Sequence, residues 1–122
     1  MERIEEFTID GKNFMYIDLS HLMANDEFVK ITEVIEPLIS KYPLSSLYTI
    51  TNIENIRFDS KSKDMIAKYM SNNKPYVKYG AVIGLDGIKK KMVNLVSFMS
   101  GRKNLCFAFT KEQAIEMLLK KE

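Results

Sequence analysis

The sequence has 122 residues, of which 46% are hydrophobic and 28% are charged, as expected for one globular domain covering residues 1–122. The formal net charge is only +2, well short of the basic character of most nucleic-acid-binding domains. No apolar run approaches the ~18 residues of a membrane-spanning helix, and the acidic start, MERIEEF, does not resemble a signal peptide. We therefore predict a cytoplasmic domain with no transmembrane segment and no nucleic-acid partner.

The charges are divided unevenly along the chain. Residues 1–59 carry 5 basic and 11 acidic side chains, whereas residues 60–122 carry 13 basic and 5 acidic ones. Such asymmetry can mark an interaction surface, or it can reflect attraction between two halves that interleave in space. The single histidine and single cysteine cannot supply a disulfide or a usual zinc site, so we predict no metal and no cofactor.

The first predicted elements form a hairpin followed by a helix. Two alternating runs, Arg3–Ile9 and Phe14–Leu19, flank an Asp-Gly turn and predict two antiparallel strands. Asn25 or Asp26 is a suitable N-cap for a helix that ends before Pro43, with a kink expected at Pro37. One apolar stripe of that helix consists of Phe28, Ile31, Val34, Ile35, Leu38 and Ile39.

Strands and helices alternate over the rest of the chain. Strands are predicted over Ser46–Ile50, Tyr76–Leu85 and Asn104–Phe109. The intervening helices carry their apolar stripes at Met65, Ile66, Tyr69 and Met70, and at Ile88, Met92, Leu95, Val96 and Met99. The caps expected for the second, third and fourth helices are Asp59 or Ser60, the closing Gly101, and Thr110.

The predicted order is ββαβαβαβα. Because strands joined by single helices run parallel, we predict an α/β fold with a mixed, mostly parallel five-stranded sheet, one antiparallel edge and four helices.

Several segments carry a resemblance to a known fold. They are DLS at Asp18–Ser20, SLYTITNI at Ser46–Ile53, NKPYVKYGAVIGLDGIKKKMV at Asn73–Val93, SGRKN at Ser100–Asn104 and FTKEQAIEMLL at Phe109–Leu119. In their order and spacing the chain resembles the STAS fold of bacterial anti-sigma-factor antagonists. It looks more like the small bacterial STAS-like proteins that are grouped with CRAL-TRIO lipid-binding domains.

The resemblance implies a regulatory role. In the antagonists, a partner kinase phosphorylates a serine that follows an aspartate at the start of the second main helix. The matching segment is FDSKS, Phe58–Ser62, which places Ser60 at that position. The family's Asp-Ser-Ser-Gly is Asp-Ser-Lys-Ser here, without the glycine. Ser60 is therefore a candidate phosphosite or an ordinary N-cap residue.

No catalytic motif is recognisable in the sequence. Asp18, Ser20 and His21 have the residue types of a hydrolase triad but lie too close along one strand end to align. The glycines at 80, 84 and 87 lack the first close pair of a dinucleotide fingerprint. Cys106 is interpreted as an inert core residue. We therefore predict that the protein is not an enzyme.

Two groups of residues remain as candidate binding surfaces. Loops at the carboxyl ends of the parallel strands, where such sheets bind ligands, supply Thr51, Asn52, Asn55, Gly84, Leu85 and Asp86. Val93 and Phe98 widen the apolar stripe of the third predicted helix and could form a dimer seam or a pocket wall. Lys89–Lys91 form a solvated face or contact an acidic protein or an anionic membrane.

We rank two functions on this basis. The first is a non-catalytic regulatory or interaction module of STAS type, with a protein partner or self-association. The second is a binder or sensor of a small apolar, lipid-like ligand, as the CRAL-TRIO grouping implies.

Overall fold

The computed structural model describes residues 3–57, 62–86 and 104–121. Five strands and three helices lie in these ranges, in the order β1β2α1β3α2β4β5α3. The third predicted helix, over residues 88–99, lies outside the described residues. The bounds are β1 Ile4–Ile9, β2 Lys12–Asp18, α1 Asn25–Ile39, β3 Leu47–Asn52, α2 Ser62–Asn73, β4 Val77–Ile83, β5 Leu105–Phe107 and α3 Lys111–Leu119.

The strands form one sheet in the order β1-β2-β3-β4-β5. β1 and β2 pair antiparallel, and each later pair is parallel. The predicted mixed sheet with one antiparallel edge is confirmed. Asp10 and Gly11 form the predicted tight turn, with φ angles of 51° and 77°, because a two-residue hairpin loop needs the left-handed region at both positions.

The two faces of the sheet carry separate apolar clusters. One face packs against α1 and α2, which follow one another across the sheet and contribute Phe28, Ile35 and Met70. The other face packs against α3 through Ala114 and Leu118. A strand that is apolar on both sides is needed between these layers, so the buried run of β3 is continuous rather than alternating.

The start of α1 differs from the sequence prediction. Ala24, with extended backbone angles, precedes the helix, and Asn25 is its first residue. The carboxylate of Glu27 accepts hydrogen bonds from the backbone amides of Met23 and Ala24, at 3.2 and 3.1 Å. This is one half of a capping box, in which the side chain at the third helical residue binds the N-cap amide. The N-cap residue itself is Ala24, which has no side-chain acceptor for the first amides of the helix. Pro37 lies inside the helix as predicted.

A row of aromatic rings crosses the sheet beneath α3. Phe7, Phe14, Tyr48 and Tyr79 are cross-strand neighbours on β1 to β4, with centroids 5.3, 5.4 and 6.0 Å apart. Cross-strand aromatic pairs stabilise a sheet and fix its register. The ammonium group of Lys12 lies 5.6 Å from the Tyr48 ring centroid.

The ends of α3 are both satisfied by side chains. Thr110 caps the helix as predicted, since its hydroxyl accepts the backbone N–H of Gln113 at 3.0 Å. At the other end, the Lys12 ammonium donates to the carbonyl oxygens of Leu119 and Lys121, at 3.1 and 3.3 Å. A cation on the last carbonyls also interacts favourably with the helix dipole.

Candidate functional site

The carboxyl ends of β2, β3 and β4 lie side by side, as parallel pairing requires. Asp18 is in register with Asn52, and Asn52 with Ile83. The hydrogen bonding continues past the strand ends: the Leu19 amide donates to the Asn52 carbonyl at 2.8 Å, and the Ile53 amide donates to the Ile83 carbonyl at 3.0 Å. The first residues after β2 and β3 are therefore held against the neighbouring strands. We call this end of the domain the carboxyl edge.

Asn52 is committed to the loop structure. Its side-chain oxygen accepts the backbone N–H of Glu54 at 2.9 Å, and its side-chain nitrogen donates to the Tyr16 hydroxyl at 3.1 Å. An asparagine that bonds the amide two residues ahead forms a local turn. Asn52 therefore shapes the carboxyl edge, and its donor and acceptor are already occupied.

Gly84 is required by the same loop. Its φ of +81° lies in the left-handed region, which is unfavourable for residues with a Cβ. The backbone of Glu54 and the side chain of Asn52 pack against the place where a Cβ would stand. The sequence identifies Gly84 only as a candidate residue of this edge, and the structure shows that the β3–α2 loop is its neighbour.

The other predicted edge residues differ in exposure. Asn55, with a φ of 54°, and Asp86 are exposed, whereas Leu85 is half-buried and packs against the core. Thr51 is half-buried and lines an apolar pocket between the sheet and the helices α1 and α2. The predicted residues after β3 and β4 therefore do lie at one edge of the sheet. Of these six residues, only Asn55 and Asp86 are exposed.

Phe109 is a surface residue that the sequence prediction missed. It was assigned to the last strand, but β5 ends at Phe107 and the Phe109 ring is 89% exposed. Its backbone amide donates to the side-chain oxygen of Gln113 at 2.7 Å, so the residue is firmly positioned. The capping pattern of Thr110 and Gln113 could have indicated that the strand ends before Phe109, since this pattern makes Phe109 the residue before the N-cap.

Asp18, Ser20 and His21 do not form a triad. The Asp18 carboxylate accepts the backbone N–H of Ser20 at 2.9 Å, and the Arg3 guanidinium donates to the carbonyls of Asp18 and Ser20, at 3.0 and 2.9 Å. His21 is exposed with a φ of 63°. These contacts fix the β2–α1 loop. As the sequence predicts, Ser20 and His21 are loop residues beyond the end of the strand.

An apolar cavity of about 80 Å³ lies between the sheet and the helices α1 and α2. Binding pockets for small ligands commonly measure ~300–1,000 Å³, so this space is several times smaller. The polar side chains that line it are Thr49, Thr51 and Asn73. Its apolar lining includes Ile17, Leu19, Phe28, Ile39, Tyr69 and Val82.

The candidate phosphosite and the candidate dimer seam lie outside the described residues. This applies to Ser60, Val93 and Phe98. The neighbouring Ser62 is the first residue of α2 and is only 2% exposed. Its hydroxyl donates to the Asn25 side-chain oxygen at 3.0 Å, and so connects the N-termini of α1 and α2.

Cys106 is less buried than the sequence predicts. It lies on the edge strand β5 and is half-buried, beside a small cleft that it shares with Lys121. Burial raises the pKa of its thiol, and the positive charge of Lys121 opposes this rise. A thiol with a raised pKa is a weak nucleophile at neutral pH, in agreement with the predicted inertness.

The described ranges contain neither a cluster of metal-binding side chains nor a helix that could span a membrane. Between residues 3–57, 62–86 and 104–121, no group of three or more His, Cys, Asp or Glu side chains is arranged to hold a metal ion. Among the same residues, no helix has the length and apolarity to cross a membrane.

Comparison with known proteins identifies the fold. No protein-family model matches this sequence, and no curated protein matches it. Among solved structures, an anti-sigma-factor antagonist (STAS) domain protein from Planctomyces limnophilus is similar, with a TM-score of 0.59 over 94% of this chain and 97% of that chain, at 9% identity. The chain therefore has a STAS-like fold, as the sequence resemblance implies.

Proposed function

We propose that this protein is a non-catalytic regulatory or interaction module of STAS type that binds a protein partner through its carboxyl edge. The main support is the exposure of Phe109 on that edge, because an almost fully exposed aromatic side chain, on a backbone that is held by a hydrogen bond to Gln113, is typical of an interaction anchor. Similarity of fold alone does not determine function, so the evidence for a binding role must come from the surface residues.

The chemistry of the carboxyl edge favours binding over catalysis. The side-chain oxygen of Asn52 and one carboxylate oxygen of Asp18 each accept a backbone amide of their own loop. An acid–base mechanism needs a pair of groups that can reach one reacting atom, and the apolar cavity contains none of Asp18, His21 and Asp86. The exposed side chains of Asn55 and Asp86 are suited to the polar rim of an interface around Phe109.

The second part of this proposal is that phosphorylation of Ser60 regulates binding of the protein partner. It rests on the resemblance of FDSKS to the antagonist motif. Because the Ser62 hydroxyl is buried and bonded to Asn25, Ser60 is the better kinase substrate of the two serines. A phosphate there would precede α2, where the helix dipole favours negative charge.

The test is affinity capture with matched baits. The wild type and the variants F109S and L44S are used to capture proteins from the source cell, since Leu44 is also exposed but lies at the opposite end of the domain. We expect one protein that is captured by the wild type and by L44S and is lost with F109S. Capture of the same proteins by all three baits would contradict the proposal.

A separate experiment tests Ser60. Incubation of the protein with source-cell extract and ATP, followed by mass spectrometry, should show one added phosphate on Ser60, and the S60D variant should alter capture of the partner. Unchanged capture by S60D would overturn the regulatory part and leave the Phe109 interface intact.

Binding of a small apolar ligand is the second candidate, and the cavity beneath α1 and α2 is the observation that favours it. The lining of this cavity is mainly apolar, but its volume of about 80 Å³ is below the ~150 Å³ that admits benzene in an engineered cavity. A lipid would need a large displacement of the helices, so we place this function second.

A further inference from the structure

Lysines gather at the end of the domain opposite the carboxyl edge. We call this end, where β2, β3 and β4 begin, the amino edge. Lys41 and Lys74 follow α1 and α2 on one face of the sheet, and Lys120 and Lys121 follow α3 on the other. Two lysines of the sheet itself also lie at the amino edge. Lys12 is the first residue of β2, and Lys78 is the second residue of β4.

Carboxylates are scarce at the same end. Among the described residues, Asp10 in the β1–β2 turn lies at the amino edge, and Glu36 and Glu116 lie in the last turns of α1 and α3. Glu36 accepts a hydrogen bond from Asn72 at 3.4 Å. Six lysines and three carboxylates therefore lie at this end. The ammonium of half-buried Lys12 is bonded to the carbonyls of Leu119 and Lys121, and the other five lysines give the end a positive charge across its three layers.

Leu44 projects from the amino edge. It is 70% exposed in the loop between α1 and β3, with exposed neighbours Pro43 and Ser45. The loop is rigidly held, because the Ser45 amide donates to the Pro75 carbonyl at 2.9 Å and the Ser46 hydroxyl donates to the Pro43 carbonyl at 2.7 Å. Attraction of lysines to helix C-termini explains the charges, but it does not explain an exposed leucine on a fixed loop.

We propose that the amino edge binds the surface of a membrane that contains anionic lipids. Positive charge distributed over a broad end of the domain matches a plane of lipid headgroups, to which lysines are attracted within a Debye length. Leu44 is then positioned to enter the acyl boundary, as apolar side chains of peripheral proteins do. The carboxyl edge with Phe109 faces away from the membrane and remains available to a partner.

Other polyanions fit the amino edge less well. A single-stranded nucleic acid is usually held by exposed aromatic rings that stack on bases, whereas Tyr42 and Tyr76 at this end are half-buried. An acidic protein segment would be recognised in a groove, but the lysines are distributed over the sheet and both helical layers. These occupants become outcomes of the test below.

The test is sedimentation of the intact protein with vesicles of phosphatidylcholine, with and without 30% phosphatidylglycerol. We expect binding only to the anionic vesicles, and weaker binding as NaCl rises from 50 to 200 mM. K41E together with K74E should lower the affinity about 25-fold or more, from roughly fivefold for each lysine lost at an anionic surface. L44S should lower it about tenfold, because the leucine no longer enters the acyl boundary.

The matched control is K30E together with K68E, which changes the net charge equally at exposed positions within α1 and α2. It should bind within about threefold of the wild type, and circular dichroism should show that all variants are folded. The proposal is overturned by no binding to anionic vesicles at 50 mM NaCl, by equal losses in the two lysine pairs, or by undiminished binding of L44S. Tighter binding to a single-stranded oligonucleotide or to a polyglutamate peptide than to the vesicles would also overturn it.

Discussion

A Cβ atom added to Gly84 would lie 2.5 Å from the backbone nitrogen of Glu54, far closer than packed atoms approach. The same atom would meet the Asn52 side-chain oxygen and the Glu54 Cα, each at 2.8 Å. Two loops that follow neighbouring strands are thus packed backbone to backbone at the carboxyl edge. The absence of a side chain at position 84 is what permits this contact.

Replacement of Gly84 by alanine should therefore destabilise the protein. The left-handed φ of +81° and the clash with Glu54 both act against the variant, and backbone strain of this kind costs on the order of 1–3 kcal/mol before the clash is added. We expect G84A to lower the free energy of unfolding by at least ~2 kcal/mol in urea denaturation.

Gly11 supplies the control for this prediction. Its φ of +77° is similar, but no atom lies within 4 Å of the place of its Cβ. G11A should therefore cost only the conformational strain, about 1 kcal/mol. Equal losses in G84A and G11A would show that the contact with Glu54 contributes nothing to the stability.

The hydrogen bond between Ser62 and Asn25 gives a second prediction. The Ser62 side chain is buried, and its hydroxyl joins the first turns of α1 and α2. S62A should lower the free energy of unfolding by about 1–2 kcal/mol, because the partner oxygen loses its donor. S71A, at an exposed position of α2, should change it by less than ~0.5 kcal/mol.

A double-mutant cycle with N25A separates the bond from other effects of S62A. A coupling energy of about 1 kcal/mol is expected, since the two residues are in direct contact. Strictly additive losses would contradict the assignment, and S62A would then act through packing alone.

The comparison of sequence and structure shows which features have a local origin. The Asp10-Gly11 turn was predicted correctly because both residues tolerate positive φ and leave alternating strands on either side. The parallel order of β2 to β5 followed from the alternation of strands and helices. Both features are determined by residues close together in the chain.

Features that depend on distant residues could not be predicted in this way. Asn52 was predicted as a free binding group, but one of its two partners is Tyr16, which is 36 residues away. Phe109 was assigned to a strand because its neighbours are apolar, yet β5 pairs with β4 over only three residues. Its exposure depends on where that pairing stops, which no local pattern reveals.

Tyr42 provides a prediction on pH. Its hydroxyl donates a 2.6 Å hydrogen bond to the Glu6 carboxylate. Partial burial, followed by this bond and the charge of Glu6, raises the pKa of Tyr42 from 10.0 to about 12. Because the folded state favours the protonated phenol, its contribution is complete below pH 10 and is lost as the pH rises from about 10 to 12.

The measurement is the difference in unfolding free energy between the wild type and Y42F across this range. Because the hydrogen bond to Glu6 lies at the surface, the difference should be under ~1 kcal/mol at pH 8, and it should shrink toward pH 12. Other groups titrate in both proteins and cancel. A difference that stays constant from pH 8 to 12 would contradict the link between Tyr42 and Glu6.

The apolar cavity beneath α1 and α2 gives the last prediction. Its volume of about 80 Å³ cannot hold a lipid chain, so native mass spectrometry of the purified protein should give the mass of the polypeptide alone. Replacing Val82, which lines the cavity, by isoleucine should add a methylene to empty space and stabilise the protein by up to ~1 kcal/mol. V77I, at another lining position, should act in the same direction. Retention of an apolar molecule by the wild type and its loss in V82I would instead establish the ligand-binding function that we rank second.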